Sequence, residues 1–297
     1  MKKIFCIIAL GVGLAGCSNN EDELLSTGSF PEDHVIRIIT EVNEPLSRAG
    51  YDVTNLERFG LMIRNSENAA YNYHKQMVSS GNAWSTSDGQ QMLWDAERTP
   101  VTMIAYAPYM SEAAPDASLA VNALTNQTTE ENVKSSDFLL MKATVDPEQD
   151  LTADGKLKIS LSHAMSKLLI KITVNGTTDA AMNKLGDMSI NGAVVNGICD
   201  LSATVPIVVP APDAVVATVA PYKGTESCEC ILPPQKIAEG FSVNFSYDGK
   251  LYIWTAKEAI ELEKGVEHTL TLNVNTTVRL AAKMARNWAT GQLIDRN

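Results

Sequence analysis

The chain has 297 residues, 45% of them apolar and 20% charged, with 24 basic and 35 acidic side chains and a formal net charge of −11. Such a composition is globular and supplies a sizeable core for one large or two medium domains. An acidic surface repels nucleic acid and anionic membrane, so neither is expected as a partner.

Lys2 and Lys3 precede an apolar run over residues 4–14, too short to cross a bilayer, and small residues follow. That order predicts a secretory signal over residues 1–16. Leu14-Ala15-Gly16-Cys17 resembles a bacterial lipobox, which would put a lipid on Cys17 and make it the first mature residue. A plain signal peptide with a chance cysteine is the other reading. Residues 17–33 then form an acidic tether, and its Ser18-Asn19-Asn20-Glu21-Asp22-Glu23 resembles the sorting stretch of surface-exposed lipoproteins of Bacteroidetes. A simple acidic linker has the same composition. The expected address is the cell outer membrane, with the chain surface-exposed and held through the lipid on Cys17. Beyond Cys17 no apolar stretch is long enough to span a membrane.

Period-two alternation dominates the rest of the chain. Ile36, Ile38 and Val42 predict a first strand, followed by the polar link Leu46-Ser47-Arg48-Ala49-Gly50. Phe59, Leu61 and Ile63 predict a second, and Val101, Met103, Ala105 and Ala107 another that ends at Pro108. Residues 65–72 and 116–136 read as loops, and residues 138–141 as a strand buried on both faces. Over residues 157–174 the apolar phase moves from odd to even positions, which predicts a bulge or bend near Ser166-Lys167. His163 lies on the apolar phase and reads as a buried, hydrogen-bonded histidine. Residues 178–184 could form a short turn of helix, and Asn191-Gly192 and Asn196-Gly197 offer turns. Residues 205–221 are apolar but broken by prolines, which fits an edge or connecting segment. Asp248-Gly249 between alternating runs predicts a hairpin over residues 241–254. Val266, Leu270, Leu272 and Val274 predict one long strand. Leu280, Met284 and Trp288 recur at four-residue steps, so helix and strand both remain open for the C-terminus.

The count is about seven strands on either side of Val174, which predicts two all-β sandwiches. The expected units are an N-terminal sandwich over residues 34–175 and a C-terminal one over 176–297, with a C-terminal appendage from about 278; the strand over residues 157–174 could open the second unit instead.

Chemistry is sparse in this pattern. With Cys6 lost in the signal and Cys17 lipidated, Cys199, Cys228 and Cys230 remain. An odd number allows one intramolecular pair at most, and Cys228 and Cys230 point the same way on a strand. A bridge from Cys199 to one of them stays open. No zinc spacing occurs, and His34, His74, His163 and His268 are scattered without a nucleophile pattern. No catalytic residue, metal or cofactor is therefore expected. Tyr106, Tyr109 and the tryptophans could stack on sugar or serve as core. Arg48, in a polar and extendable link, has what a trypsin-like protease needs, though an ordinary loop arginine looks the same.

Taken in order, several pieces together resemble the fimbrillin family, subunits of the type V pili of Bacteroidia. They are the lipobox at Cys17, Ser47-Arg48-Ala49, Trp94, the run 101–109 ending in Pro108-Tyr109, residues 136–141, residues 161–168, and Asn287-Trp288 with Gly291. The resemblance implies two transthyretin-like sandwiches and a role as a structural, tip or accessory subunit of a fimbrium. It also implies a lipid-anchored precursor, cut between Arg48 and Ala49 by a trypsin-like processing protease, with the strand of Ile36, Ile38 and Val42 released. A donor segment carrying Val278, Leu280, Met284, Trp288 and Leu293 would fill the groove of another fimbrial subunit head to tail. An anchor subunit would keep its lipid and stay uncut. The competing class is a surface glycan-binding lipoprotein, which requires Trp84, Trp94, Trp254 and Trp288 on one exposed face.

Overall fold

The structure, a computed structural model, describes residues 29–43, 50–52, 54–80, 83–175 and 182–274, and the backbone of 280–286 and 294–296. The first half contains β1 (Arg37–Asn43), β2 (Arg58–Asn65), β3 (Tyr73–Ser80), β4 (Ala83–Thr86), β5 (Val101–Ala107), β6 (Ser118–Asn122), the short helix α1 (Glu130–Ser135), β7 (Leu139–Val145), β8 (Lys156–His163) and β9 (Ser166–Val174). Next come β10 (Leu185–Val194), β11 (Asn196–Asp200), β12 (Val208–Pro210), β13 (Val216–Val219), β14 (Tyr222–Lys223), β15 (Cys228–Leu232) and β16 (Gln235–Ile237). The last are β17 (Ser242–Tyr247), β18 (Lys250–Thr255), β19 (Ile260–Leu262), β20 (Glu267–Val274), β21 (Leu280–Arg286) and β22 (Ile294–Arg296). The fold is all-β and built as packed sheets.

Seven strands form the first sheet in the order β1-β8-β7-β5-β2-β3-β4. The sheet curls far enough for β1 to meet β4. Inside the curl lies one core, with Ile38, Phe59, Leu61, Met77, Trp94, Met103, Leu139 and Ile159. Its central strand β5 explains its own sequence. Met103 and Ala105 face this core, while Ile104 and Tyr106 face a second one, so both faces are apolar. β7 starts the same way, with Leu139 in one core and Phe138 and Leu140 in the other, as expected for a strand buried on both faces.

The second core joins those outward residues to strands of the C-terminal half, among them Ile170, Ile190, Cys230, Phe245 and Leu272. A six-stranded sheet, β14-β15-β9-β20-β21-β22, and a four-stranded one, β13-β10-β17-β18, face it. The change of apolar phase near residue 165 has a clear cause. β8 ends in the first sheet, Ala164 and Met165 are buried, and β9 begins in the six-stranded sheet. The bend is thus a passage between sheets. The expected division at 176 falls after β9, whereas the change of sheet partners falls before it.

Elsewhere the alternation and turn signals match the strands. Asp248 and Gly249, both at positive φ (52° and 75°), close the β17–β18 hairpin with Tyr247 opposite Lys250. The proline-broken segment supplies β12 and β13, each at the edge of its sheet, where a missing N–H is tolerated. Three expectations are corrected. Residues 116–136 hold β6 and α1, capped by Thr129 accepting from Asn132 N–H, rather than a loop. Asn191-Gly192 is a bulge inside β10 and not a turn; Gly192 is at φ 92°, and a Cβ there would stand 2.5 Å from the Gly240 carbonyl oxygen. Asn196-Gly197 opens β11, so β10 and β11 run on almost continuously, changing sheets at Val195. The C-terminal segment is strand over Leu280–Arg286, antiparallel to β20 from Val274 opposite Leu280 to His268 opposite Arg286. Among the described residues no helix is long and apolar enough to cross a membrane.

Candidate functional site

Strand β1 lies at the margin of the first sheet and pairs in parallel with β8, from Arg37 opposite Lys156 to Asn43 opposite Ser162. Ile36 and Ile38 are buried and Val42 packs against the same core, so the predicted apolar face of the strand points inward. On its other side, among the described residues, backbone hydrogen bonds hold the chain where β1 begins. Ile36 N–H donates to the Met92 carbonyl (2.9 Å) and Trp94 N–H to the His34 carbonyl (2.7 Å). A cavity of about 380 Å³ lies between β1 and β4, lined by Ile36, Ile38, Met77, Trp84 and Met92. The indole N–H of Trp84 reaches across to Thr40 Oγ1 at 3.1 Å. On the solvent face Glu41 pairs with Lys158 (2.8 Å) and accepts from the Ser160 hydroxyl, and these two partners hold its carboxyl below the usual range.

At the end of β8 a buried polar group sits beside the chain that follows β1. His163 and Asp137 are 4% and 1% exposed, and His163 Nδ1 lies 2.8 Å from Asp137 Oδ2. Tyr51 N–H donates to the same oxygen at 3.1 Å. The expectation of a buried, hydrogen-bonded histidine therefore holds. Asp137 Oδ1 and His163 Nε2 are buried without a partner. Tyr51 is itself pushed up to about 12, first by burial and then by the charge of Asp137. Asp137 escaped the sequence reading, although an acid directly ahead of a doubly buried strand was there to be seen.

Of the residues singled out for assembly, Ile36, Ile38 and Val42 come together on β8 as one strand. Leu280 and Met284 lie in β21, which with β22 forms one margin of the six-stranded sheet. Cys17, Arg48, Ala49, Val278, Trp288 and Leu293 lie outside the described residues. Of the candidate sugar platforms, Trp94 is buried, Trp84 packs edge-on against Phe59, and Trp254 edge-on against Phe241. Those three face cores. Cys199, Cys228 and Cys230 are free and buried, with burial raising the first two thiols to about 11 and about 12 and the third further still. No bridge from Cys199 forms. Among the described residues no group of three His, Cys, Asp or Glu side chains could hold a metal ion.

Comparison with solved structures gives the same architecture. A protein described as a candidate cell adhesion protein from Bacteroides ovatus is 18% identical, with a TM-score of 0.64 over 90% of this chain and 98% of that one. Another so described, from Bacteroides uniformis, is 14% identical with a TM-score of 0.61 over 88% of this chain and 98% of that one. At these identities the likeness is one of fold. No curated protein matches the sequence. The sequence profile of the fimbrillin-like family matches residues 47–287, most of the chain, and this protein therefore belongs to the fimbrillin-like family.

Proposed function

We propose that this chain is a fimbrial subunit, delivered as a lipoprotein precursor anchored at the outer membrane through Cys17 and assembled by exchange of strands between copies or relatives. In this reading a trypsin-like protease cuts between Arg48 and Ala49. β1 then leaves with the lipid, and the C-terminal segment of a neighbouring subunit fills the vacated place. Contacts of this kind are head to tail and do not close, so they propagate as a filament. The sandwiches would be of the transthyretin-like type, and the role would be structural rather than enzymatic.

The observation that carries the reading is the way β1 is held. One strand, attached to the rest of the chain through the link that contains Arg48, inserts Ile36 and Ile38 into the core and, among the described residues, pairs along its length with β8 alone. Its loss uncovers the β8 edge and the apolar bed of Leu157, Ile159 and Leu161, a template for another strand. A second strand pair, β21–β22, lies at the margin of its own sheet.

N-terminal analysis and mass spectrometry of the protein taken from the cell surface test this. The expected result is a chain that begins at Ala49. A surface protein whose Arg48–Ala49 bond is intact would instead be a permanently anchored subunit.

A further inference from the structure

We propose that the free edge of β18 is a docking surface for the same strand of a second copy of this chain, paired antiparallel about Tyr252. The backbone decides which residues face that edge. β17 and β18 are joined through a two-residue turn with Tyr247 opposite Lys250, so Lys250, Tyr252 and Trp254 exchange their backbone hydrogen bonds with β17. Ala256 N–H extends the series by donating to the Phe241 carbonyl (2.9 Å). The N–H and C=O groups of Leu251, Ile253 and Thr255 therefore point the other way, where β18 is the last strand of its sheet. Side chains follow the same alternation. Tyr252 and Trp254 turn inward onto Phe245 and Phe241, whereas Leu251 and Ile253 are 85% and 69% exposed. The same residues thus present unpaired backbone and large aliphatic side chains together.

Several other sheet margins are guarded against pairing. β1 carries Arg37 and Glu41, β4 and β14 are four and two residues long, and β12 and β13 lie among Pro206, Pro210, Pro212 and Pro221. β18 runs for six residues without a proline, and its one charged residue, Lys250, stands at its first position. An unguarded apolar edge of this kind takes up another strand. The strand that fits it is β18 itself. Opposite residues of an antiparallel pair share a face, so outward residues can oppose only outward residues. Setting Tyr252 against its counterpart puts Leu251 opposite Ile253 on both sides of the axis, each such pair exchanging both backbone hydrogen bonds. Lys250 then stands opposite Trp254, which keeps the two lysines at opposite ends of the pair. Strands of this length bury far less than the roughly 1,200 Å² of a stable complex, so the contact is transient.

Disulfide trapping of the full chain in detergent tests this, because a covalent bond captures a transient pair. Leu251→Cys and Ile253→Cys both replace exposed side chains, so neither disturbs the core. Across a hydrogen-bonded pair their Cα atoms stand about 5.5 Å apart, within disulfide range. Like positions are displaced along the strands and fall outside that range. Mixed and oxidised, the two variants should give a disulfide heterodimer by mass spectrometry, several-fold above the homodimer that either variant forms alone. Lys250→Cys mixed with Ile253→Cys should give only the background of the wild-type chain, whose Cys199, Cys228 and Cys230 are buried. No heterodimer, an equal yield with Lys250→Cys, or capture of Ile253→Cys by a different protein in place of a second copy overturns the pairing.

Discussion

Single residues show how much of this fold depends on pairing groups that sequence order keeps far apart. Lys167 on β9 and Glu229 on β15 form an ion pair at 2.8 Å with side chains 0% and 7% exposed. Burial pushes the Glu229 carboxyl up, against the opposing pull of Lys167. Removing one partner strands the other charge in a dry interior, so Lys167→Met should lower unfolding stability by roughly 3–5 kcal/mol in urea titrations. Lys167→Met with Glu229→Leu should recover most of that loss, because the two charges are then removed together. His268 gives a pH dependence. It is 4% exposed, its Nε2 accepts from Glu263 N–H (3.0 Å), and burial pushes its pKa down to about 4. The unfolded imidazole titrates near its ordinary value, so the unfolded chain binds the extra proton between the two. The neutral histidine's contribution is complete above that ordinary value. It is lost as pH falls towards 4, by up to about 3 kcal/mol. His268→Gln keeps an acceptor without the titration, and the difference in Tm between it and wild type should shrink steadily as pH falls over that window.

Elements divide by whether their cues are local. The β17–β18 hairpin was legible because Asp248-Gly249 supplies two positive φ angles between runs of period two. The start of β7 was legible as the short apolar run 138–141, the signature of a strand covered on both faces, while β5 was legible from one apolar face, Val101, Met103, Ala105 and Ala107. β6 was not. Its five residues bury only Leu119 and Val121, and what makes them a strand is pairing with β11, from Asn122 opposite Asn196 to Ser118 opposite Asp200. Asn191-Gly192 misled for a related reason: the left-handed φ that suits a turn also suits a bulge where Gly240 approaches closely. For β1 the cue was local and the consequence was not. Ile38 is 4% exposed in the uncut chain, so Ile38→Ala should destabilise it by about 2–5 kcal/mol. Once residues up to 48 have been cut off and separated, the same substitution should have no effect on thermal unfolding. A persistent effect would mean that the strand does not leave.

At the scale of the whole molecule the two halves are interlocked rather than strung together. β6 of the first half pairs with β11 of the second, and β9 is the inner partner of both β15 and β20. Gln127 accepts from Ile231 N–H (2.8 Å) and donates to the Ile231 carbonyl (2.8 Å), while Lys142 Nζ donates to the Leu201 and Ala203 carbonyls (2.8 and 2.9 Å). One core runs from Tyr106 and Phe138 to Phe245 and Leu272. The chain should therefore unfold in a single transition by circular dichroism and tryptophan fluorescence alike. A fragment of residues 176–297, which lacks β9 and β6, should fail to give a cooperative transition at all. By itself the sequence determined the strand-rich class, the apolar faces, the Asp-Gly hairpin and the candidate first strand, because side-chain alternation and turn geometry act over a few residues. Only the tertiary structure decided that the chain changes sheets at Ala164 and Met165, that β6 belongs with β11, and that Asp137 lies beside Gly50. Those outcomes depend on which distant backbone edge and which buried partner each segment meets, and such meetings leave no period in the chain.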